Sequence, residues 1–427
     1  MPAPAVAVST AAASPFSSAN PHALASILEA SETRSIIATR DIFDLSGTKL
    51  WARNQPVSAE LQRKLLDRKL RNPLETCLMA EDGVTLRTLQ QGLEALLAAD
   101  GPLRHLLLPH APRLIKDVQH LPLHAVPQLL LTAGQASRPQ SFDHAVQAMA
   151  VCGALMASHG GGLADVRTAM LAGLVHDLGE MYIDPHYGEA DADRALDFTS
   201  YQQLVVHPHV GQLLLGQLTN YPASLARAVA EHHERLDGSG YPHALRGDAI
   251  SSLGRLLAAA EAGLSVLRGE RAHLARMSMA LRVVPGEFDH GWVGPIAEAA
   301  RRAPEEHPRR SAEELRERLA RLDAALLAAH ASVGALDLLS QAPSLHHALA
   351  LTRHLLDGLR KGWYANGLWS VEGITGAEAA EVEAAEDELN WRLRAIERAA
   401  RLAAGDLSDD DAHCLNLLCE GLRLTDA

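Results

Sequence analysis

Apolar residues recur every three or four positions over long stretches of this chain, and that period predicts helices. Leu86, Leu89, Leu93, Leu96 and Leu97 form one such stripe, which stops at Asp100-Gly101. Others run through Val146-Met149-Ala150, Leu171-Leu174-Val175 and Leu213-Leu214-Leu218. The connections near them are polar and rich in glycine or proline: Gly160-Gly161-Gly162, Asp184-Pro185 and Asp237-Gly238-Ser239-Gly240. Beyond residue 300, Arg and Glu alternate over an Ala/Leu stripe, as in Glu313 to Ala328, and a second long stretch runs from Ala377 to Ala404. Dense Glu/Arg spacing of this kind predicts solvated helix faces. Ser408-Asp409-Asp410-Asp411 opens a final helix with capping-box character. The pattern differs between Ser35 and Val57. There Ile36-Ile37-Ala38-Thr39 and Ile42-Phe43 precede Ser46-Gly47, Leu50-Trp51-Ala52 follows, and Pro56 closes the run. That is a strand–turn–strand pattern, with Ser58 placed to cap a helix through Leu70.

These patterns divide the chain into a disordered tail over residues 1–20, a small mixed α/β accessory domain over 21–125, a helical domain with functional loops over 126–300, and a helical region over 301–427. The tail is rich in Ala, Ser and Pro and has no Lys or Arg before Arg34, so it does not read as a secretory signal. No run of about 18 uninterrupted apolar residues marks a spanning helix. The expected address is the cytoplasm, away from membranes, and the paired C-terminal helices are expected to mediate a homodimer.

Composition agrees with helices. Hydrophobic residues make up 47% of the 427 and aromatics only 4%, which favours helix-on-helix packing over aromatic-rich sheets. A formal charge of -13 argues against binding a nucleic-acid polymer or an anionic membrane. It leaves room for a small anionic ligand, because bound metal reverses charge locally. Cys77, Cys152, Cys414 and Cys419 are too scattered for a disulfide framework and read as packing residues.

The chemistry concentrates in residues 126–300, where nine of the 22 histidines fall between His144 and His243. His176-Asp177 follows an apolar helix, where an imidazole and a carboxylate can both face one interior site, the carboxylate bridging two metals. Glu231-His232-His233-Glu234-Arg235-Leu236-Asp237-Gly238-Ser239-Gly240-Tyr241-Pro242 is the more specific element. Adjacent histidines diverge by about 100° on a helix, so both reach one centre only if neighbouring segments fold around the helix end. The Asp-Gly-Ser-Gly run supplies a tight loop after them.

Together these segments resemble the His-Asp and Gly-Tyr-Pro signatures of the HD-GYP family, a subgroup of the HD phosphohydrolases. The resemblance implies a mainly α protein with an HD-type helical bundle core. It also implies a centre of two divalent cations, Fe or Mn, and hydrolysis of cyclic di-GMP to pGpG, with possible further cleavage to GMP. Carried over position by position, the metal ligands fall on His144, His176, Asp177, His207, His232 and His233, with His176 and Asp177 at the chemistry. His207 opens His207-Pro208-His209-Val210-Gly211, which resembles the family's His-Pro-x-x-Gly and leaves His209 a bystander. Arg235, Gly240, Tyr241 and Pro242 are expected at the substrate, or, through the Gly-Tyr-Pro loop, at a signalling protein. Glu234 is a candidate to orient a ligand imidazole.

Four departures stand out. Glu261 replaces the family's last carboxylate ligand, an Asp; Glu180 stands where the family has Lys; and Gln140 stands one turn before His144, where trimetal members carry Glu. The Arg-Pro-Tyr-Arg segment is missing, with Leu267-Arg268-Gly269-Glu270-Arg271 a loose counterpart. These departures set an alternative beside the phosphodiesterase, an HD-GYP adaptor that binds cyclic di-GMP or a partner without turnover; a further alternative is an HD hydrolase acting on another nucleotide, since a metal shell does not identify the base.

Overall fold

The computed structural model describes residues 15–184, 202, 204–268, 271–336, 343–367, 376–404 and 408–422. The chain forms two compact units, residues 1–84 with 124–139, and residues 85–123 with 140–427.

In the first unit, α1 (Pro21–Ser31) starts where Asn20 accepts hydrogen bonds from the amides of His22 and Ala23 at 3.0 Å. It packs on α6 (Ala125–Ser137). Two short antiparallel pairs accompany them. Strand β1 (Ile36–Ala38) pairs with β4 (Leu78–Ala80), and β2 (Ile42–Phe43) pairs with β3 (Lys49–Trp51). The β2–β3 turn needs Gly47, whose φ is 88°, and Asp44 braces it by accepting from Ser46 Oγ and the Thr48 amide. The helix after Ser58, α2, covers only Ala59–Leu65, because Asp67 turns to a left-handed φ of 56°. Ser58 makes no side-chain cap there. The tail expectation needs a correction over its described part. Pro15–Ser17 form a 3-10 turn with Phe16 buried, and Ser17 accepts from the Leu70 amide, so one apolar anchor orders the segment. Residues 1–14 lie outside the described residues.

In the second unit, α3 (Leu86–Ala98) buries Leu89, Leu93 and Leu97, each side chain contributing about 1.5–3 kcal/mol on transfer from water. Short α4 (Arg104–Leu107) and α5 (Ala111–Val118) follow. The interior is built by α7 (Pro139–Ser158), α8 (Leu163–Val175), α9 (His207–Leu218), α10 (Ala223–Ala230) and α11 (Ser252–Val266). Apolar residues surround α8, and its positions from Ala169 to Val175 are all buried. Then come α12 (Leu274–Ala280), α13 (His290–Arg302), α14 (Ala312–Leu336), α15 (Pro343–Ala365), α16 (Gly376–Ala404) and α17 (Asp409–Leu422). Ser408 caps α17 by accepting from the Asp411 amide. Helix α14 is long and apolar enough to cross a membrane by composition, but Leu315, Leu319, Leu322 and Leu326 are buried. Most of that stripe joins α15 and α16 in a core that also takes Met279, Val283 and Val284. This unit therefore runs from the helices of the 126–300 segment into the C-terminal helices, and it includes residues 85–123. The four cysteines are free, and Cys77, Cys152 and Cys419 are buried.

Candidate metal centre

Five chain segments meet in the second unit. Helix α7 brings His144, the 3-10 turn His176–Tyr182 brings His176 and Asp177, and α9 begins at His207. The turn that follows α10 brings His232 and His233, and α11 brings Glu261. Gly179 makes the meeting possible: a Cβ there would strike the carbonyl of His207, so only glycine lets α9 start against the 3-10 turn.

The side chains fall into two groups, His144, His176, Asp177 and Glu261, and Asp177, His207, His232 and His233. Within each group the ligand atoms lie within 4.8 Å of one another. Asp177 belongs to both. Its Oδ2 is 3.1 Å from His176 Nε2 and 3.4 Å from His144 Nε2, while Oδ1 is 3.3 Å from His232 Nε2 and 3.5 Å from His207 Nε2. Glu261 Oε2 closes the first group at 2.7 Å from His144 Nε2 and 3.1 Å from His176 Nε2.

Three imidazoles are fixed by the backbone. Nδ1 of His176, His207 and His232 lies 2.8, 2.7 and 2.5 Å from the carbonyls of Gly173, Leu204 and Val229. A carbonyl can only accept, so Nδ1–H donates, and in the neutral ring the Nε2 lone pair points into the site. His207 Nε2 and His232 Nε2 stand 3.0 Å apart. Two lone pairs at that distance repel unless a proton or cation lies between them. Asp177 Oδ1 is buried without a hydrogen-bond donor. These features fit divalent cations of borderline hardness, which take imidazole and carboxylate together.

The charge balance agrees. Burial disfavours the imidazolium of His176, but the Asp177 and Glu261 carboxylates outweigh it and hold the pKa well above the ordinary value. His144 is likewise raised, burial being outweighed by Glu261 and Asp177. His232 is pushed down to about 3 by burial and by His233 beside it. Burial alone would raise Asp177 and Glu261, yet the neighbouring His176 and His144 hold both well below the usual carboxylate range.

The loop after His233 frames the opening. Gly240 lies so close to His233 and Arg235 that a Cβ would strike the His233 carbonyl and the Arg235 amide. Tyr241 stacks on the His233 ring, with centroids 4.5 Å apart and planes at 15°. Arg235 sits over Phe288 at 4.8 Å and faces Glu287 at 3.7 Å. Arg235, Gly240, Tyr241 and Glu287 line a cavity of about 500 Å³ that His233 and Glu261 also line; Phe288, and Pro242 beyond a cis peptide bond, lie outside that lining.

Two sequence expectations change. Glu234 orients no imidazole; it is buried and accepts from the amides of His243 at 2.7 Å and Leu245 at 2.8 Å, pinning the loop. Backbone carbonyls do the orienting instead. Arg268, read in sequence only as part of a loose counterpart, reaches the centre: its Nη2 is 2.8 Å from Glu261 Oε1 and 3.2 Å from His144 Nε2. It stands two residues past the end of α11, in the turn after the C-cap Leu267, close enough in the chain for its long side chain to reach back to Glu261. Glu180 is buried in the 3-10 turn.

Residues 128–287 match the family described as HD domain. The chain is 32% identical over 106 residues to a 3'3'-cGAMP-specific phosphodiesterase of Vibrio cholerae, covering 25% of this chain and 22% of that protein. It is 36% identical over 92 residues to a cyclic di-GMP phosphodiesterase of Pseudomonas aeruginosa, covering 21% of this chain and 22% of that protein. The chain thus spans about a fifth of the length of these curated relatives. Among solved structures it is similar to a HDG"Y"P protein from Bdellovibrio bacteriovorus, at 14% identity and a TM-score of 0.36, covering 64% of this chain and 97% of that one.

Proposed function

We propose that this chain, whose residues 128–287 match the HD-domain family, is a protein of the HD-GYP type, a metal-dependent phosphodiesterase that opens a cyclic dinucleotide. Cyclic di-GMP, opened to linear pGpG, is the substrate proposed first. The cyclic GMP–AMP dinucleotide is the second, because one relative is named for it. The observation that carries the reading is that two ligand groups share Asp177 and that one residue of each, Glu261 and His233, lines a cavity of about 500 Å³.

Two divalent cations, Fe or Mn, held by these groups would supply Lewis acidity at phosphate oxygens and an activated water at neutral pH. The residues supply the rest. The carbonyls of Gly173, Leu204 and Val229 keep three Nε2 lone pairs aimed inward. Tyr241 holds the plane of His233 by stacking. Arg235 and Arg268 line the cavity and place positive charge where a phosphate enters. Hydrolysis adds water across one phosphorus–ribose oxygen bond, the hydroxyl going to phosphorus and the proton to the departing oxygen.

A second reading, an adaptor that binds without turnover, is favoured by one contact. The Arg268 guanidinium lies against Glu261 and His144, on the atoms a cation at the first group would need. The separating test is anaerobic loading with Fe(II) or Mn(II), followed by chromatography of products from each cyclic dinucleotide, with Asp177→Asn as control. Linear product from the loaded protein and none from the control supports the enzyme. Full metal occupancy with dinucleotide binding and no product supports the adaptor.

A further inference from the structure

The cavity that starts at His233 and Glu261 is not closed by the HD segment alone. Its opposite wall is one face of α16, outside residues 128–287, with Leu355, Gly358 and Leu359 of α15 beside it. Asp387, Trp391, Ala395, Arg398 and Ala399 fall at spacings of three, four and seven on that face, and all line the cavity.

Two features of the wall are unlike packing. Trp51, Trp292 and Trp363 are buried, whereas Trp391 is 55% exposed while lining the cavity. A large apolar ring left open inside a concavity is a contact surface waiting for an apolar face. Two turns on, Arg398 brings a guanidinium to the same cavity, and Ala395 and Ala399 leave space between them.

The wall is also held rigidly. Glu383 and Asp387 of α16 accept from Arg271 and Arg310, and Asp387 also accepts from Arg276 at 3.0 Å. Arg392 bonds Glu287, the carboxylate that faces Arg235 beside His233. His354 of α15 lies 2.9 Å from the carbonyl of Asp237, in the loop that follows the histidines. The C-terminal helices are thereby tied to the loop at the metal centre.

We propose that α16 is a substrate-binding element, in which Trp391 stacks on a purine base and Arg398 pairs with a phosphate of the cyclic dinucleotide. The inference rests on the phosphodiesterase reading above and adds the source of the binding energy. Stacking is tolerant of base identity and contributes about 1–3 kcal/mol per base. This wall therefore sets affinity for a cyclic dinucleotide without choosing between guanine and adenine.

The test is binding and turnover of cyclic di-GMP and of 3'3'-cyclic GMP–AMP by the metal-loaded full chain, its W391A, W391F and R398Q variants, and Y364A as control. Tyr364 is equally open, at 52%, but lies outside the cavity lining. Expected are losses of affinity of roughly tenfold for W391A with both ligands, recovery in W391F, a comparable loss for R398Q, and no loss in Y364A. KM should rise while kcat and metal content hold. Unaltered affinity in both W391A and R398Q overturns the proposal and leaves the phosphodiesterase reading standing. A loaded parent chain that neither binds nor cleaves either dinucleotide removes that reading, and this one with it.

Discussion

Asp177 divides its two oxygens between different imidazoles, and this division makes a pair of candidate cation sites out of one cluster. His144 and His176 have raised pKa values because carboxylates face them in a buried place, burial itself opposing the charge. Each can carry a proton at neutral pH, and a cation must displace it. Metal uptake should therefore release protons, and apparent affinity should rise with pH as these imidazoles are deprotonated. Calorimetry in buffers of different ionisation enthalpy reads this directly; buffer-independent heats would contradict the assignment. Gly240 offers a steric test, since its Cβ would press on the His233 carbonyl and the Arg235 amide. Gly240→Ala should cost about 1–3 kcal/mol of stability and lower metal content, read by thermal melting and elemental analysis. A variant with parental melting and metal content would show that the loop gives way freely. Four of the grouped residues, His176, Asp177, His232 and His233, stand in contiguous text, while His144, His207 and Glu261 are placed only through the resemblance to the HD-GYP pattern; the structure brings all seven together. Glu234 was misread because its partners, the His243 and Leu245 amides, are set by how the loop folds back, which local pattern does not contain.

At the scale of elements, the helices announced themselves by period, and the stretches 86–98, 312–336 and 376–404 follow the apolar stripes closely. Strand β4 did not, being three residues long and paired with a strand some forty residues earlier in the chain. The Arg/Glu alternation predicts a solvated face, but on α16 part of it is interior. Glu383 is buried and accepts from Arg271, Arg310 and the Arg309 amide. Removing it leaves arginines facing one another, so Glu383→Ala should destabilise by about 3 kcal/mol. Amide exchange across residues 376–404 should speed up before the rest of the chain does. Exchange in that helix unchanged from the parent would mean the network is dispensable. Sequence spacing cannot separate such a buried carboxylate from an exposed one, because both sit on a heptad of the same composition.

Across the whole molecule, the segment with recognisable motifs is smaller than the unit that builds the site. Residues 128–287 carry all seven residues of the two candidate ligand groups, yet the cavity beside them is completed by helices far along the chain. The sequence division at residue 300 separated what packing joins, since Met279, Val283 and Val284 share a core with α14, α15 and α16. Nothing local in those three residues signals that partner. Whether one carboxylate joins two cation sites is read by electron paramagnetic resonance during Mn(II) titration of the full chain. A shared Asp177 gives uptake of about two ions per chain with the spectrum of an exchange-coupled pair, reduced to an isolated-ion spectrum in Asp177→Asn. A parent chain that saturates with one ion, or with two magnetically independent ions, would contradict it.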